Sequence, residues 1–186
     1  MKFAALFICL AMVLTGCSSG NRDLDRGMAI RSSLLEAIQC SFDAEITADY
    51  GDKLYTFRVS CRGNSQGDLS FEVTAPESIS GITGTVSNYA GKLTFDDVAL
   101  QFDLMAEDQI TPVAAPWILL KTLRSGYLTS AGMEGDLLRL TIDDSYAEDA
   151  LQVDVWFDSG DQPVRCGILH DGRQILSLTV ENFQIR

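Results

Sequence analysis

Residues 40–50 read Cys-Ser-Phe-Asp-Ala-Glu-Ile-Thr-Ala-Asp-Tyr, and the period of that string decides the fold. Its even positions, Cys40, Phe42, Ala44, Ile46, Ala48 and Tyr50, are mostly apolar, whereas Ser41, Asp43, Glu45, Thr47 and Asp49 are polar. Successive side chains of a strand point to opposite faces, so this alternation predicts a β-strand with one dry face and one wet face. Gly51-Asp52 supplies a turn signal, and the apolar phase then reverses to Tyr55, Phe57, Val59 and Cys61 against Thr56, Arg58, Ser60 and Arg62. A hairpin centred near residue 51 puts both apolar sets on one face. Asp43 or Glu45 then falls opposite Arg58, a cross-strand pair worth roughly a few tenths of a kcal/mol. The same register brings Cys40 and Cys61 onto the apolar face, directly opposite or one diagonal apart. Opposed Cβ atoms on paired strands lie about 4.5–5.5 Å apart and a disulfide needs about 3.5–4.5 Å. A bridge is feasible, and so are two buried free thiols.

The alternation continues downstream. Leu69, Phe71, Val73 and Ala75 form an inward set ended by Pro76. Residues 79–87 read as a strand bent by Gly81 and Gly84, and strands at 93–95 and 98–104 flank an Asp96-Asp97 turn. Six strands in succession with no crossover helix predict an antiparallel meander. Residues 109–116, with Pro112 and Pro116, read as a loop. Pro116 suits the first turn of a helix over 117–125, closed by Gly126, with Trp117, Leu119, Leu120 and Leu123 on its apolar face and Lys121 and Arg124 in water. Strands follow at 138–143, 151–158, 163–170 and 174–183, the last two joined by an Asp171-Gly172 hairpin turn. Upstream, Met28, Ile30, Leu34, Leu35 and Ile38 recur at helical spacing, which predicts an amphipathic helix over 24–38 with Arg31 and Glu36 turned to water. The fold class is mainly β, of the α+β kind.

The chain opens with Lys2, an apolar run from Phe3 to Leu14, and then Leu14-Thr15-Gly16-Cys17. That is the layout of a secretory signal, and the run is too short for the roughly 20 residues that span a bilayer. The closing string resembles the lipobox of bacterial lipoproteins. The resemblance implies that Cys17 carries a thioether-linked diacylglycerol and becomes the mature N-terminus. The expected division is a signal peptide over 1–16, a polar tether over 17–23 and one domain over 24–186. The expected location is the extracytoplasmic side of the cell membrane, held by lipid. Acyl chains contribute about 0.8 kcal/mol per buried methylene, so two or more on one cysteine anchor without a spanning helix. The 14 Lys and Arg against 26 Asp and Glu give a net charge of −12, which repels nucleic acid and anionic bilayers.

Chemistry is harder to find. His170 is the only imidazole, and Cys166 on the same predicted strand stands about 13 Å from it, too far to couple. Acidic pairs such as Asp96-Asp97, Glu107-Asp108, Asp143-Asp144 and Glu148-Asp149 fall at predicted turns, where Asp bonds nearby backbone. No spacing suggests a metal or a cofactor, no residue is a catalytic candidate, and a hydrolase is the least favoured class. The aromatic side chains are more suggestive, because Phe42, Phe57, Phe71, Phe95 and Phe102 share the inward phase. With Ile46, Val59 and Val73, and with Trp117 and Leu120 from the helix above, they either line an apolar cavity or fill an ordinary core.

The order of elements resembles the LolA/LolB-like lipoprotein carrier superfamily. Phe71-Glu72-Val73-Thr74-Ala75-Pro76-Glu77 leading into Gly81-Ile82, and Leu93-Thr94-Phe95-Asp96-Asp97, are strings similar to those of LolA-like lipoproteins of Gram-positive bacteria. The resemblance implies an antiparallel half-barrel, with an N-terminal helix and a mid-chain helix on its concave face, able to hold lipid. The function it implies is a membrane-anchored, non-enzymatic lipoprotein that binds a lipid or another apolar ligand. The competing class is a scaffold with a filled core that docks an envelope protein.

Overall fold

Two hairpin meanders meet at the alternating strand. The computed structural model describes residues 19–186 except 88–89, 97, 107–108 and 148–149. Helix α1 (Ser19–Glu36) precedes β1 (Gln39–Asp49), β2 (Leu54–Asn64), β3 (Leu69–Ala75), β4 (Thr83–Ser87), β5 (Ala90–Phe95) and β6 (Val98–Asp103). A small separate hairpin, β7 (Met105–Ala106) and β8 (Gln109–Ile110), and a 3-10 turn over Pro112–Ala114 lead into α2 (Ala115–Ser125). The second meander is β9 (Tyr127–Glu134), β10 (Leu137–Asp143), β11 (Gln152–Phe157), β12 (Pro163–His170) and β13 (Arg173–Ile185). β13 returns to pair with β1, giving one antiparallel sheet of 11 strands in the order β6-β5-β4-β3-β2-β1-β13-β12-β11-β10-β9. The sheet is an open half-barrel: β6 and β9 are its two free edges. Among the described residues no helix is long and apolar enough to cross a membrane.

The register explains the alternation. Phe42, Ala44, Ile46 and Ala48 are buried and pair with Cys61, Val59, Phe57 and Tyr55. Glu45 lies directly opposite Arg58, whose Nε donates to its carboxylate at 2.9 Å. Cys40 pairs with Gly63, so Cys40 and Cys61 sit one diagonal apart on the buried face as free thiols. At the β12–β13 turn both Asp171 and Gly172 have positive φ, 50° and 73°, as the tightest hairpin turns require.

Several expectations need correction. Tyr127–Glu134 is a strand, although its sequence does not alternate. Thr141 pairs with Ser130 but Ile142 with Leu128, so Thr129 is an extra residue in a bulge and the apolar period slips there. Residues 79–87 are not one strand: the chain makes a 3-10 turn over Glu77–Ile79, passes Gly81 at φ 87°, and only then enters β4. Helix α1 begins at Ser19, five residues before the expected start at Leu24. Its buried stripe is Gly27, Ile30, Leu34 and onward to Ala37, while Met28, Leu35 and Ile38 are exposed. Gly27 is in that stripe because a Cβ there would meet Leu140 of β10 at 2.8 Å. Arg31, expected in water, donates to the Leu123 carbonyl at 2.8 Å. The signal peptide and Cys17 lie outside the described residues.

Helix α2 is apolar nearly all round because it lies inside the half-barrel. Residues 115–120 are all buried, as are Thr122 and Leu123. Its two cations satisfy backbone instead of pointing to water: Arg124 donates to the Asn64 carbonyl at 2.6 Å, and Lys121 to the Asp144 carbonyl and carboxylate at 3.3 Å. On the outer face, Arg139, Trp156 and Arg165 are aligned across β10, β11 and β12. The Arg165 and Arg139 guanidinium carbons lie 4.0 and 5.3 Å from the Trp156 ring centroid. Asp154, 3% exposed, accepts from Arg139 at 2.6 Å and from Thr141 at 2.7 Å, so β11 is buried on both faces.

Candidate functional site: an apolar cavity at one end of the half-barrel

Helix α2 fills the middle of the concave face but does not reach the end where β1 turns into β2. A cavity of about 840 Å³ remains there. Its walls are Phe57 of β2, Val73 of β3, Ile79 and Ile82 of the following turn, and Leu93 of β5. Ile110, Pro112 and Val113 form its roof, and Tyr50, Asp52, Lys53, Leu54 and Tyr55 stand around its mouth.

The roof is held by three hydrogen bonds to backbone carbonyls, two of them donated by side chains. Tyr50 Oη donates to the Ile110 carbonyl at 2.5 Å, Thr111 N donates to the Leu104 carbonyl at 2.8 Å, and Thr111 Oγ1 donates to the Asp103 carbonyl at 2.8 Å. The Tyr50 phenol is pushed above its ordinary pKa, first by burial and then by the neighbouring Tyr55, whose ring centroid is 6.2 Å away. It therefore stays a neutral donor. Among the described residues, the charged side chains lining the cavity are Asp52 and Lys53, both exposed at the mouth. A surface of this kind suits an apolar molecule better than an ionic group.

The residues expected to line a cavity divide into three groups. Phe57 and Val73 do line it. Phe42, Ile46, Val59, Phe71, Trp117 and Leu120 are buried members of the filled core instead. Trp117 Nε1 donates to the Gly67 carbonyl at 2.8 Å, and with Leu120 it borders a recess of about 230 Å³ beside Leu69. Phe102 is half-buried, its ring over Gly91 of the neighbouring strand where a Cβ would collide with it, and Phe95 is exposed. Sequence reasoning missed Ile79, Ile82, Ile110, Pro112 and Val113. Their one signal was apolar side chains persisting through proline- and glycine-containing segments that have no strand or helix period.

The other candidates carry little chemistry. Cys40, Cys61 and Cys166 are buried thiols, and burial is the main cause pushing each pKa up, which disfavours the reactive thiolate. Among the described residues no group of three or more His, Cys, Asp or Glu side chains gathers to hold a metal.

No protein-family model matches the chain, and none of the curated proteins matches it. Among solved structures, the chain is similar to a DUF1329 family protein of Desulfovibrio piger, with 8% identity, 90% of this chain and 93% of that one covered, and a TM-score of 0.47. A LolA superfamily protein of Nitrosomonas europaea is matched at 8% identity over 86% of this chain and 93% of that one, with a TM-score of 0.45. The lipoprotein LppX of Mycobacterium tuberculosis is matched at 12% identity over 87% of this chain and 93% of that one, with a TM-score of 0.40.

Proposed function

We propose that the protein binds a lipid or another apolar ligand, without chemical conversion, in the cavity between β2–β5 and the segment 109–113. The observation that carries this reading is the wall itself: about 840 Å³ bounded by Phe57, Val73, Ile79, Ile82, Leu93 and Val113, with Asp52 and Lys53 at the mouth. Ligand pockets typically occupy about 300–1,000 Å³, are mainly apolar and carry few polar groups. Burying apolar ligand surface there contributes roughly 25 cal/mol per Å² removed from water. The string Leu14-Thr15-Gly16-Cys17 supports the second half of the proposal, that the domain works from a lipid anchor at Cys17 on the extracytoplasmic side of a membrane.

The direct test is organic extraction of the purified protein followed by mass spectrometry. A co-purifying lipid, released on unfolding and present at a fixed ratio to protein, is the expected result. No bound lipid, together with no uptake of an added apolar probe, would leave the scaffold reading, in which an envelope protein docks on a closed core.

A further inference from the structure

Helix α1 carries two apolar faces, and the fold uses one of them. Gly27, Ile30 and Leu34 seat it on the half-barrel, so closely that a Cβ at Gly27 would meet Leu140 of β10 at 2.8 Å. Leu24, Met28 and Leu35 form the other face. At about 100° per residue they fall within roughly 40° of one another, about 110° around the helix from the seated face. They are 39%, 49% and 57% exposed. Arg31 shares this side, but its guanidinium is drawn back to the body, where Nε donates to the Leu123 carbonyl at 2.8 Å. The nearest acidic side chains on the helix, Asp25 and Glu36, stand roughly 80–100° from the centre of the stripe. What the stripe offers to its surroundings is apolar.

Single exposed apolar residues are ordinary, but three aligned on one helix face are a surface. The position of α1 in the chain names what covers it. Cys17 of the lipobox string is two residues before Ser19, where α1 begins, so the sequence holds no spacer between an acyl anchor and the helix. The helix cannot swing on its own, because Arg31 is tied to α2 and Arg26 Nε donates to the Asp161 carboxylate at 2.7 Å. Three side chains are too few to hold a protein on a bilayer from free solution. A lipid tether changes that, since it keeps the stripe beside the surface at an effective concentration on the order of millimolar. The net charge of −12 opposes an anionic surface, so neutral headgroups suit this contact best.

We infer that α1 lies along the surface of the membrane that anchors the protein, with Leu24, Met28 and Leu35 set into the boundary between headgroups and acyl chains. The stripe then holds the domain in one orientation on the bilayer, where a lipid tether alone would leave it free to turn. This rests on the anchor at Cys17 and is independent of what the cavity binds.

The test uses the full acylated protein in phosphatidylcholine vesicles, with an environment-sensitive fluorophore at Leu35→Cys on the stripe or at Thr85→Cys on the exposed face of β4. Cys40, Cys61 and Cys166 are buried, so the introduced thiol takes the label. With nitroxide-bearing lipid in the vesicles, the Leu35 label should lose most of its emission and the Thr85 label should keep it. Leu24→Glu combined with Met28→Glu should restore emission at Leu35 while leaving flotation and circular dichroism unchanged, because neither side chain seats the helix. A Leu35 label that stays bright, or quenching that survives the two glutamates, would overturn the inference. So would a blue-shifted Leu35 label that the lipid nitroxide does not reach, since a second copy or another protein would then cover the stripe. Protein that fails to float with the vesicles would overturn the anchor reading, and this inference with it.

Discussion

The phenol of Tyr50, where β1 ends, donates a 2.5 Å hydrogen bond to the carbonyl of Ile110, tying the roof of the cavity to the central strand. Tyr50→Phe keeps the ring and removes this bond. A net loss of about 0.5–1.5 kcal/mol of stability is expected. Amide exchange should accelerate at Ile110, Thr111 and Val113 and stay unchanged in β10–β13. Exchange that rises uniformly across the sheet would mean the bond is not local to the roof.

Trp117 behaves as core. Its ring is buried in the half-barrel and its Nε1 is bonded to Gly67 O, so Trp117→Ala should cost about 3–5 kcal/mol in a denaturant titration. The loss should be the same with and without a saturating apolar probe, because α2 is not a lid over the cavity. A small loss that grows when the probe is bound would contradict that placement.

The buried thiols give stability a pH dependence of known sign. Burial raises the folded-state pKa of Cys40, Cys61 and Cys166 above that of the unfolded chain, near 8.5. Below that pH both states hold the proton and the stabilisation is complete. Above it the unfolded state releases protons that the folded state retains, so stability falls as pH rises, by up to about 1.4 kcal/mol per pH unit for each thiol. Denaturation midpoints from pH 8 upward should decline less steeply in Cys166→Ala, and alkylation of the native protein should be slow.

Cys17→Ala should abolish acylation and leave a precursor that still carries residues 1–16. Incorporation of labelled fatty acid into the variant would show that the lipobox reading is wrong.

The sheet was legible wherever one face is wet. In β1 and β2 every second residue meets water, so Glu45 and Arg58 could be placed opposite each other from parity alone. The Asp171-Gly172 turn was legible because few residue pairs accept two positive φ values. β9 was hidden by the bulge at Thr129, which breaks the period at the free edge, where side chains are least constrained by burial. The stripe on α1 was misread because Met28 and Leu35 look like core, yet the helix is packed closely through Gly27, which no hydrophobicity count selects. The cavity escaped for a related reason. Inward phase identifies the side chains on the concave face but not which of them α2 covers. The roof comes from irregular backbone around Pro112, where no period exists to be read.

The central claim is that the cavity at the β1–β2 end takes an apolar ligand. Titration with a fluorescent probe of acyl-chain length, for the natural protein and for Ile82→Trp and Leu93→Trp, tests it most directly. Both positions are half-buried on the cavity wall, so the larger ring enters the empty volume with little disturbance of the filled core. The natural protein should bind saturably and the variants at least about tenfold more weakly, equivalent to about 1.4 kcal/mol, with circular dichroism unchanged. Equal affinity in all three proteins, or no binding to the natural one, would contradict the account.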